Sequence, residues 1–246
     1  MNWFSLMIKD RLEKTNLTRY AFGWNYKAWS HAFLKIDLPM LKKNSRLLEV
    51  GASRHSIVSI IFDGLVDEIV VSYYQQDEKE NIEKYLSFVQ KNYRLKSRYV
   101  IEKIDARTVV GDFDIVIMKS VLGGLFRENQ STMADVSEFL ASLFARTVNP
   151  GGSIISIDNG KSLFDWFIPK LGARRNLWRL FRKSDLNWAT KKCEFGVLSF
   201  FSFETRLGYF GFLLDNYIVY PVDVVFFRFW KYNPTVIVSL FRGDNK

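Results

Sequence analysis

One stretch decides the fold of this chain: Arg46-Leu47-Leu48-Glu49-Val50-Gly51-Ala52-Ser53-Arg54. Its apolar first half predicts a short buried β-strand that ends at an acidic residue and turns on a glycine. Apolar residues then recur at helical spacing over 56–65, which predicts a helix directly after the turn. Glycine lets the backbone approach a ligand, and the free amides at a helix start attract negative groups. The stretch therefore predicts the first βα unit of a parallel sheet, with a ligand site at its end.

The rest of the chain continues this alternation of strands and helices. Further strands are predicted at 67–73, 98–104, 113–118, 153–157 and 235–241, with helices at 77–93 and 133–148. Residues 2–40 are expected to be helical. Such alternation favours a doubly wound α/β domain with a mostly parallel sheet.

Composition narrows the possible partners and compartments. Of 246 residues, 48% are hydrophobic and 25% charged, which is typical of a globular domain. An excess of 35 Lys and Arg over 26 Asp and Glu gives a net charge of +9, which suits nucleic acid, an anionic bilayer or a phosphorylated substrate, or is simply a basic surface. The single cysteine excludes an intrachain disulfide and suits a reducing compartment. With only two histidines, no metal site is expected.

Four short motifs add a family resemblance. They are Glu49-Val50-Gly51 closing the first strand, Ile104-Asp105-Ala106 closing the third, Phe113-Asp114-Ile115-Val116 opening the fourth and Pro150-Gly151-Gly152 before the fifth. In this order they resemble the class I S-adenosylmethionine (SAM) methyltransferases. The resemblance implies a Rossmann-like, doubly wound, mostly parallel seven-stranded sheet, with helices on both faces and an antiparallel C-terminal strand. It also implies SAM as the cofactor.

The same resemblance divides one domain, residues 1–246, into three parts. Residues 1–42 form an N-terminal helical cap, 43–160 the SAM-binding core, and 161–246 an acceptor-side insertion with the closing strands. The implied cofactor-binding residues are Glu49, Gly51, Ala52, Ser53, Tyr73, Tyr74, Asp105, Ala106, Lys119 and Ser120.

Several of these assignments leave alternatives open. Glu49 either accepts a hydrogen bond from the methionine ammonium, shapes the loop, or is a solvated strand-end carboxylate. Asp105 either contacts adenine or caps the segment after it, and Lys119 is either a site residue or a solvated loop residue. Asp158 is the candidate catalytic residue, because a carboxylate there could take the proton from an acceptor hydroxyl; the alternative is a solvated loop.

The chain also departs from the family pattern in two places. Ser53 and His55 stand where later glycines of the turn are usual. The second strand lacks the acid that commonly holds the ribose hydroxyls, and Ser72, Tyr73, Tyr74 and Gln75 stand there instead. We expect Tyr73 or Tyr74 to make the ribose contact.

A narrower resemblance concerns the acceptor. Met118-Lys119-Ser120-Val121-Leu122-Gly123-Gly124-Leu125 and Phe229-Trp230-Lys231-Tyr232 are similar to segments of methyltransferases of bacterial surface-polysaccharide biosynthesis. This implies an O-methyltransferase acting on a sugar hydroxyl of a glycan or its precursor. The alternatives are a catalytically degenerate binding or scaffold protein, which the departures favour, and a nucleic-acid methyltransferase, which the net charge favours. No Asn/Asp-Pro-Pro-Tyr/Phe run follows the fourth strand, so a nucleic-acid partner is not expected.

The location of the protein follows from its charge pattern. No signal peptide is expected, because Lys9-Asp10-Arg11 interrupts the N-terminal apolar run. Cations and aromatic residues alternate from Arg174 to Lys192, which suits the surface of an anionic membrane, although Trp178 and Trp188 are equally suited to a core. The expectation is a cytoplasmic protein with possible peripheral membrane contact and an open oligomeric state.

Overall fold

The computed structural model describes residues 6–8, 10, 17–23, 25–36, 38, 41, 44–52, 56–161, 179–196, 204–229 and 234–242. Seven strands within these ranges form one sheet. They are β1 (Arg46–Val50), β2 (Glu68–Tyr73), β3 (Arg98–Lys103), β4 (Phe113–Lys119), β5 (Val148–Asn159), β6 (Lys191–Phe195) and β7 (Val236–Phe241). Their order across the sheet is β3-β2-β1-β4-β5-β7-β6.

The pairing of the strands confirms the predicted fold class. Strands β1 to β5 pair in parallel with their neighbours, whereas β7 runs antiparallel to both β5 and β6. β6 was not located from the sequence, because it begins at the end of the stretch interpreted as basic surface and is itself mostly charged. Among the described residues it pairs only with β7, and of its five residues Cys193 and Phe195 are buried. Charged residues on such an edge strand are usual, since they discourage pairing with another chain.

The helical elements surround this sheet. They are α1 (Leu17–Phe22), α2 (Tyr26–Phe33), a 3-10 helix (Val58–Phe62), α3 (Gln76–Asn92), α4 (Val121–Leu125), α5 (Met133–Thr147), a 3-10 turn (Lys183–Asp185), α6 (Glu204–Leu214), a π-helical segment (Asp215–Val219) and α7 (Tyr220–Phe229).

Two predicted helices differ from the structure. The helix expected over 2–40 is interrupted between α1 and α2, where Gly23 and Asn25 both have positive φ values, 71° and 42°. The helix expected over 56–65 is the 3-10 helix Val58–Phe62. Its β-branched residues disfavour an α-helix slightly, and a buried carboxylate described below binds its first amides.

The two faces of the sheet carry two separate cores. Leu47, Ile69 and Ile115 pack with α1, α2, the 3-10 helix and α3 on one face. Their chain neighbours Leu48, Val70 and Val116 pack with α5 on the other face. This alternation is expected of strands buried on both sides, and it confirms that helices cover both faces.

The strand order also fixes where a ligand would bind. β1 lies between β2 and β4, so the chain leaves β1 in one direction for β2 and β3 and later returns on its other side for β4 and β5. In open α/β sheets the crevice at such a switch point, outside the carboxyl ends of the strands, is the usual ligand site. The division into cap, core and acceptor-side insertion stays a prediction.

Candidate functional site

A cavity of about 600 Å³ lies at this switch point. Residues at the carboxyl ends of β1, β2, β3 and β4, together with the first turns of α3 and α4, form its walls. The predicted site residues among them are Glu49, Gly51, Tyr73, Tyr74, Asp105, Ala106, Lys119 and Ser120. The structure therefore brings together eight residues that are spread from the end of β1 to the end of β4 in the sequence. The volume of the cavity is typical of small-molecule and cofactor sites.

The turn after β1 requires a glycine at its first position. Gly51 has a φ of +69°, and a Cβ built there would lie 2.8 Å from Cγ2 of Val121. The amide of Gly51 donates a hydrogen bond of 3.2 Å to the hydroxyl of Ser72 at the end of β2. This contact uses Ser72, which is buried, to hold the turn in place. Any side chain at position 51 would be strained and would displace Val121.

Glu49 shapes the loop from inside the protein. Its Oε1 accepts a 2.8 Å hydrogen bond from the amide of Val58, and its Oε2 accepts hydrogen bonds from the amide and the hydroxyl of Ser59, at 2.9 and 2.5 Å. The side chain is 2% exposed. Burial raises the pKa of the Glu49 carboxyl, against the opposing effects of these hydrogen bonds and of Lys119. Of the sequence alternatives, the structure shows the loop-shaping one and excludes a solvated carboxylate.

Lys119 brings a positive charge to the cavity from the end of β4. Its Nζ lies 5.1 Å from the centre of the Trp29 ring, a cation–π distance. Burial lowers the pKa of Lys119 to about 8, while the nearby Glu49 carboxylate opposes that shift. The ammonium is therefore still charged in most molecules at neutral pH. Next to it, Ser120 has a φ of 58° and donates its amide to the carbonyl of Ile157 at 2.7 Å.

Asp105 caps the turn that follows it and keeps one carboxylate oxygen without a described partner. Its Oδ1 accepts the amide of Arg107 at 2.8 Å, and its carbonyl accepts the amides of Thr108 and Val109. These contacts match the capping alternative. Within the described residues Oδ2 makes no hydrogen bond, and Asp105 lines the cavity. The structure is therefore compatible with both sequence alternatives, since Asp105 caps the following turn and can also contact adenine.

A carboxylate that the sequence analysis missed lies beside the ribose position expected at β2. Tyr73 is 7% exposed and Tyr74 is 63% exposed, and both line the cavity. Glu78, in the first turn of α3, lines it too. Its Oε2 accepts the amides of Tyr74 and Gln75, both at 3.0 Å, and Oε1 has no partner in the described part of the chain. The Gln75-x-x-Glu78 capping box just after a predicted strand was the available signal.

Asp158 does not line this cavity. The carboxyl is 2% exposed, and its Oδ2 accepts a short hydrogen bond from the hydroxyl of Ser156. In the described structure Oδ1 is buried without a hydrogen-bond partner. Burial raises the pKa of Asp158 to about 7, opposed by Ser156 and by the backbone of Gly123. The solvated alternative is wrong, and the geometry does not place this carboxyl against an acceptor in the cavity.

Some of the remaining candidates lie elsewhere. Ala52 is buried and donates its amide to the carbonyl of Ser72, but it does not line the cavity. Ser53 and His55 lie outside the described residues.

The described part of the basic stretch does not present its aromatic residues to solvent. Phe181 is fully buried, and Trp188 is half-buried against Phe241 at a ring distance of 6.2 Å. The guanidinium of Arg179 donates hydrogen bonds to the carbonyls of Phe126 and Ser131. The side chains therefore serve packing here, and residues 162–178 lie outside the described ranges.

Comparison with known proteins finds the same architecture in solved structures. No protein-family model and no curated protein matches the chain. The crystal structure of the YcgJ protein from Bacillus subtilis covers 89% of this chain and 99% of its own, with 12% identity and a TM-score of 0.51. A methyltransferase from Bacillus halodurans C-125, itself described as putative, covers 87% and 96%, with 16% identity and a TM-score of 0.50.

A third solved structure matches only in part. The chain spans about half (52%) of an S-adenosylmethionine-dependent methyltransferase from Clostridium acetobutylicum, which covers 57% of this chain at 13% identity and a TM-score of 0.39. At such identities the likeness shows the fold, which is the Rossmann-like fold found among methyltransferases.

Proposed function

We propose that this chain, which has a methyltransferase fold, is a SAM-dependent O-methyltransferase whose acceptor is a sugar hydroxyl of a bacterial surface glycan or its precursor. The observation that carries the proposal is the cavity at the switch point, where the Gly51 turn, the carboxylates of Glu78 and Asp105 and the ammonium of Lys119 converge from three strand ends and the first turn of α3. The fold alone would not support an activity, so the proposal rests on the chemistry of these side chains.

The residues fit the three parts of SAM. Asp105 offers Oδ2 to the amino group of adenine, and Glu78 offers Oε1 to the ribose hydroxyls. Lys119 offers its ammonium to the methionine carboxylate. The absence of a side chain at Gly51 leaves room for the cofactor over the turn. SAM would supply an activated methyl group, and the task of the protein is then to align an acceptor oxygen with it, because positioning supplies much of the rate enhancement in such transfers.

The acceptor is inferred from sequence. Lys119 and Ser120, which belong to the segment resembling polysaccharide methyltransferases, line the cavity wall, and Ser120 is linked to β5 through Asn159, whose Nδ2 donates to its hydroxyl at 3.4 Å. The Trp230-Lys231-Tyr232 segment lies outside the described residues. A small-molecule or glycan acceptor suits a cavity of this size. We also propose a cytoplasmic location, since such precursors are made there.

Two alternative functions rest on less evidence. A degenerate scaffold was favoured by the missing acid of β2, but Glu78 supplies a carboxylate at that end of the sheet. A nucleic-acid methyltransferase was favoured by the net charge of +9 alone.

The test is a calorimetric titration with SAM, S-adenosylhomocysteine and 5′-methylthioadenosine, which lacks the amino-acid carboxylate. We expect all three to bind. Lys119→Met should weaken SAM and S-adenosylhomocysteine by about tenfold or more, since a hydrogen bond to a charged group contributes about 1.5–3 kcal/mol. Binding of 5′-methylthioadenosine should change little.

The matched control is Lys103→Met, at the exposed end of β3 and outside the cavity wall. It should leave all three affinities unchanged. If purified protein binds neither SAM nor S-adenosylhomocysteine, the scaffold alternative replaces the enzyme. If it binds them, methyl transfer to candidate glycan precursors and to nucleic acid decides between the two kinds of acceptor.

A further inference from the structure

A long apolar helical surface lies away from the cavity. It runs through α6, the π-helical segment and α7, from Leu207 to Phe229, and it is long and apolar enough by composition to cross a membrane. Only 28% of its most apolar window is buried. Eight large apolar residues on this segment, here called the apolar face, are at least half exposed: Leu207, Tyr209, Phe210, Tyr217, Ile218, Val225, Phe226 and Phe229.

The opposite side of the same segment is anchored to the domain. Phe212, Asp215, Asn216 and Asp223 are buried there. Asn216 accepts the amide of Lys27 through Oδ1 at 3.2 Å and donates through Nδ2 to the carbonyl of Phe212 at 3.0 Å. Because this side is packed against α2, the segment lies along the protein surface and is not a free membrane span. Asp215 and Asp223 are the only acids from 207 to 229, so the apolar face carries none.

Two cations lie beside this segment, Lys27 against Tyr217 of the apolar face and Arg19 against Phe212 on its anchored side. The Arg19 guanidinium is 4.3 Å from the centre of the Phe212 ring, and the Lys27 ammonium is 3.8 Å from that of Tyr217. Neither has a carboxylate partner among the described residues. Both line a cavity of about 580 Å³ between α1, α2 and the apolar segment, together with Tyr26 and Tyr220. Arg228 is exposed on α7.

We propose that the apolar face rests on the surface of a bilayer containing anionic phospholipids, with Arg19 and Lys27 contacting headgroup phosphates. A helix with aromatic and aliphatic residues on one side, flanked by cations, is typical of elements that lie in the membrane interface. Anionic lipids attract such cations, and tyrosines are common at headgroup level. The proposal moves the membrane contact from residues 174–192 to residues 207–229.

Charge decides between a membrane and a second copy of this chain. In a symmetric dimer the same patch meets itself. Arg19 and Lys27, which have no carboxylate partner among the described residues, would then be brought towards the same two cations of the other copy. An anionic lipid surface instead supplies the complementary charge. The proposal does not depend on the methyltransferase activity, although a lipid-linked acceptor would be reached from this position.

The test is flotation of the full chain with two kinds of vesicle, phosphatidylcholine alone and phosphatidylcholine mixed with phosphatidylglycerol. We expect the protein to float with the mixed vesicles at low salt, and to bind less to the neutral ones and at high salt. Phe226→Asp should reduce binding to the mixed vesicles by about tenfold or more, because a charge replaces buried apolar surface. Arg19→Gln combined with Lys27→Gln should remove the preference for anionic lipid.

The matched control is Val110→Asp, an equally drastic change at a residue that is 77% exposed in the loop before β4. It should float like the unmodified protein. Circular dichroism and S-adenosylhomocysteine binding without vesicles show that each variant is folded, and they report on the proposed enzyme separately from the membrane.

Two results would overturn the proposal. One is an unmodified protein that stays unbound with anionic vesicles at low salt, and the other is Phe226→Asp floating as well as the control. If light scattering shows a dimer that Phe226→Asp converts to a monomer while vesicle binding is absent, the apolar face is occupied by a second copy instead.

Discussion

At the scale of single residues, the carboxylates of Glu49 and Glu78 have different roles at the cavity. Glu49 has both oxygens occupied by Val58 and Ser59, so it builds the turn under Gly51. Glu78 lines the cavity, and one of its oxygens accepts amides of the loop while the other has no partner in the described part of the chain. Burial and hydrogen bonding thus separate a structural carboxylate from one that is available to a ligand.

We expect Glu78→Gln to weaken S-adenosylhomocysteine binding by about tenfold, because an amide replaces a charge-assisted hydrogen bond. The amide oxygen keeps the cap on Tyr74 and Gln75, so the fold should be unaffected. Calorimetric titration measures the change. Glu80→Gln, on the exposed side of α3, is the control. Should Tyr73→Phe weaken binding and Glu78→Gln leave it unchanged, the tyrosine makes the ribose contact.

The buried carboxyl of Asp158 predicts a pH dependence of stability. Its pKa is raised from 3.8 to about 7 by burial, so the folded state holds the proton more tightly than the unfolded state. The contribution of Asp158 to the free energy of unfolding should therefore fall as pH rises from about 4 to about 7, by up to about 4 kcal/mol, and stay level above that. Asp158→Asn should flatten this fall in urea unfolding curves. Parallel curves for the variant and the unmodified protein would contradict the assignment.

The sequence predicts only in part which of the expected site residues line the cavity and have free hydrogen-bonding atoms. Eight of the ten expected cofactor-site residues line the cavity, because the strand ends that carry them follow from the buried apolar runs. Ala52 does not line the cavity, and Asp158 is buried with a hydrogen bond from Ser156. Which oxygen of a carboxylate is already bonded depends on contacts across the sheet, such as Glu49 to Ser59, and no sequence pattern reports these.

At the scale of elements, strands were predicted better than helices. β1, β2 and β4 are mostly apolar runs, and such runs identify strands buried on both faces. β6 was missed because three of its five residues are charged and its position depends on β7. The helix after β1 was predicted from periodicity, but the Glu49 carboxylate and β-branched residues favour the 3-10 form observed.

The hydrogen bonds of Asp63 join two loops and lead to a prediction about stability. Asp63 is 5% exposed and accepts the amides of Lys96 and Ser97 at 2.9 Å, which ties the loop before β2 to the loop before β3. Asp63→Ala should lower the free energy of unfolding by about 2–3 kcal/mol, since two partly buried amides lose their acceptor. Asp67→Ala, exposed in the same loop, should change it by about 0.5 kcal/mol or less.

Urea unfolding measures both Asp63→Ala and Asp67→Ala. S-adenosylhomocysteine affinity should be unchanged in both variants, because neither residue lines the cavity. Equal stability losses in the two variants would show that the Asp63 contacts contribute nothing.

At the scale of the whole molecule, a ligand that binds only the folded state must stabilise the entire domain. S-adenosylhomocysteine at about 100 times its dissociation constant should add about 2.7 kcal/mol. For a domain of this size that raises Tm by roughly 5–11 °C. Gly51→Ala should abolish the rise, because its methyl group is strained at positive φ and displaces Val121. A melting temperature that does not respond to the ligand would contradict the cofactor assignment.

The strand order has a consequence for the synthesis of this protein. Of the seven described strands β7 is translated after the other six, yet it lies inside the sheet, between β5 and β6. Until residues 236–241 leave the ribosome, β5 has an open edge and β6 has no partner in the sheet. The nascent chain can therefore assemble β1 to β5 before β7 is made, whereas β6 joins the sheet only when β7 is present. Unpaired edges of this kind favour aggregation, so slow release or premature termination would leave a fragment that needs a chaperone.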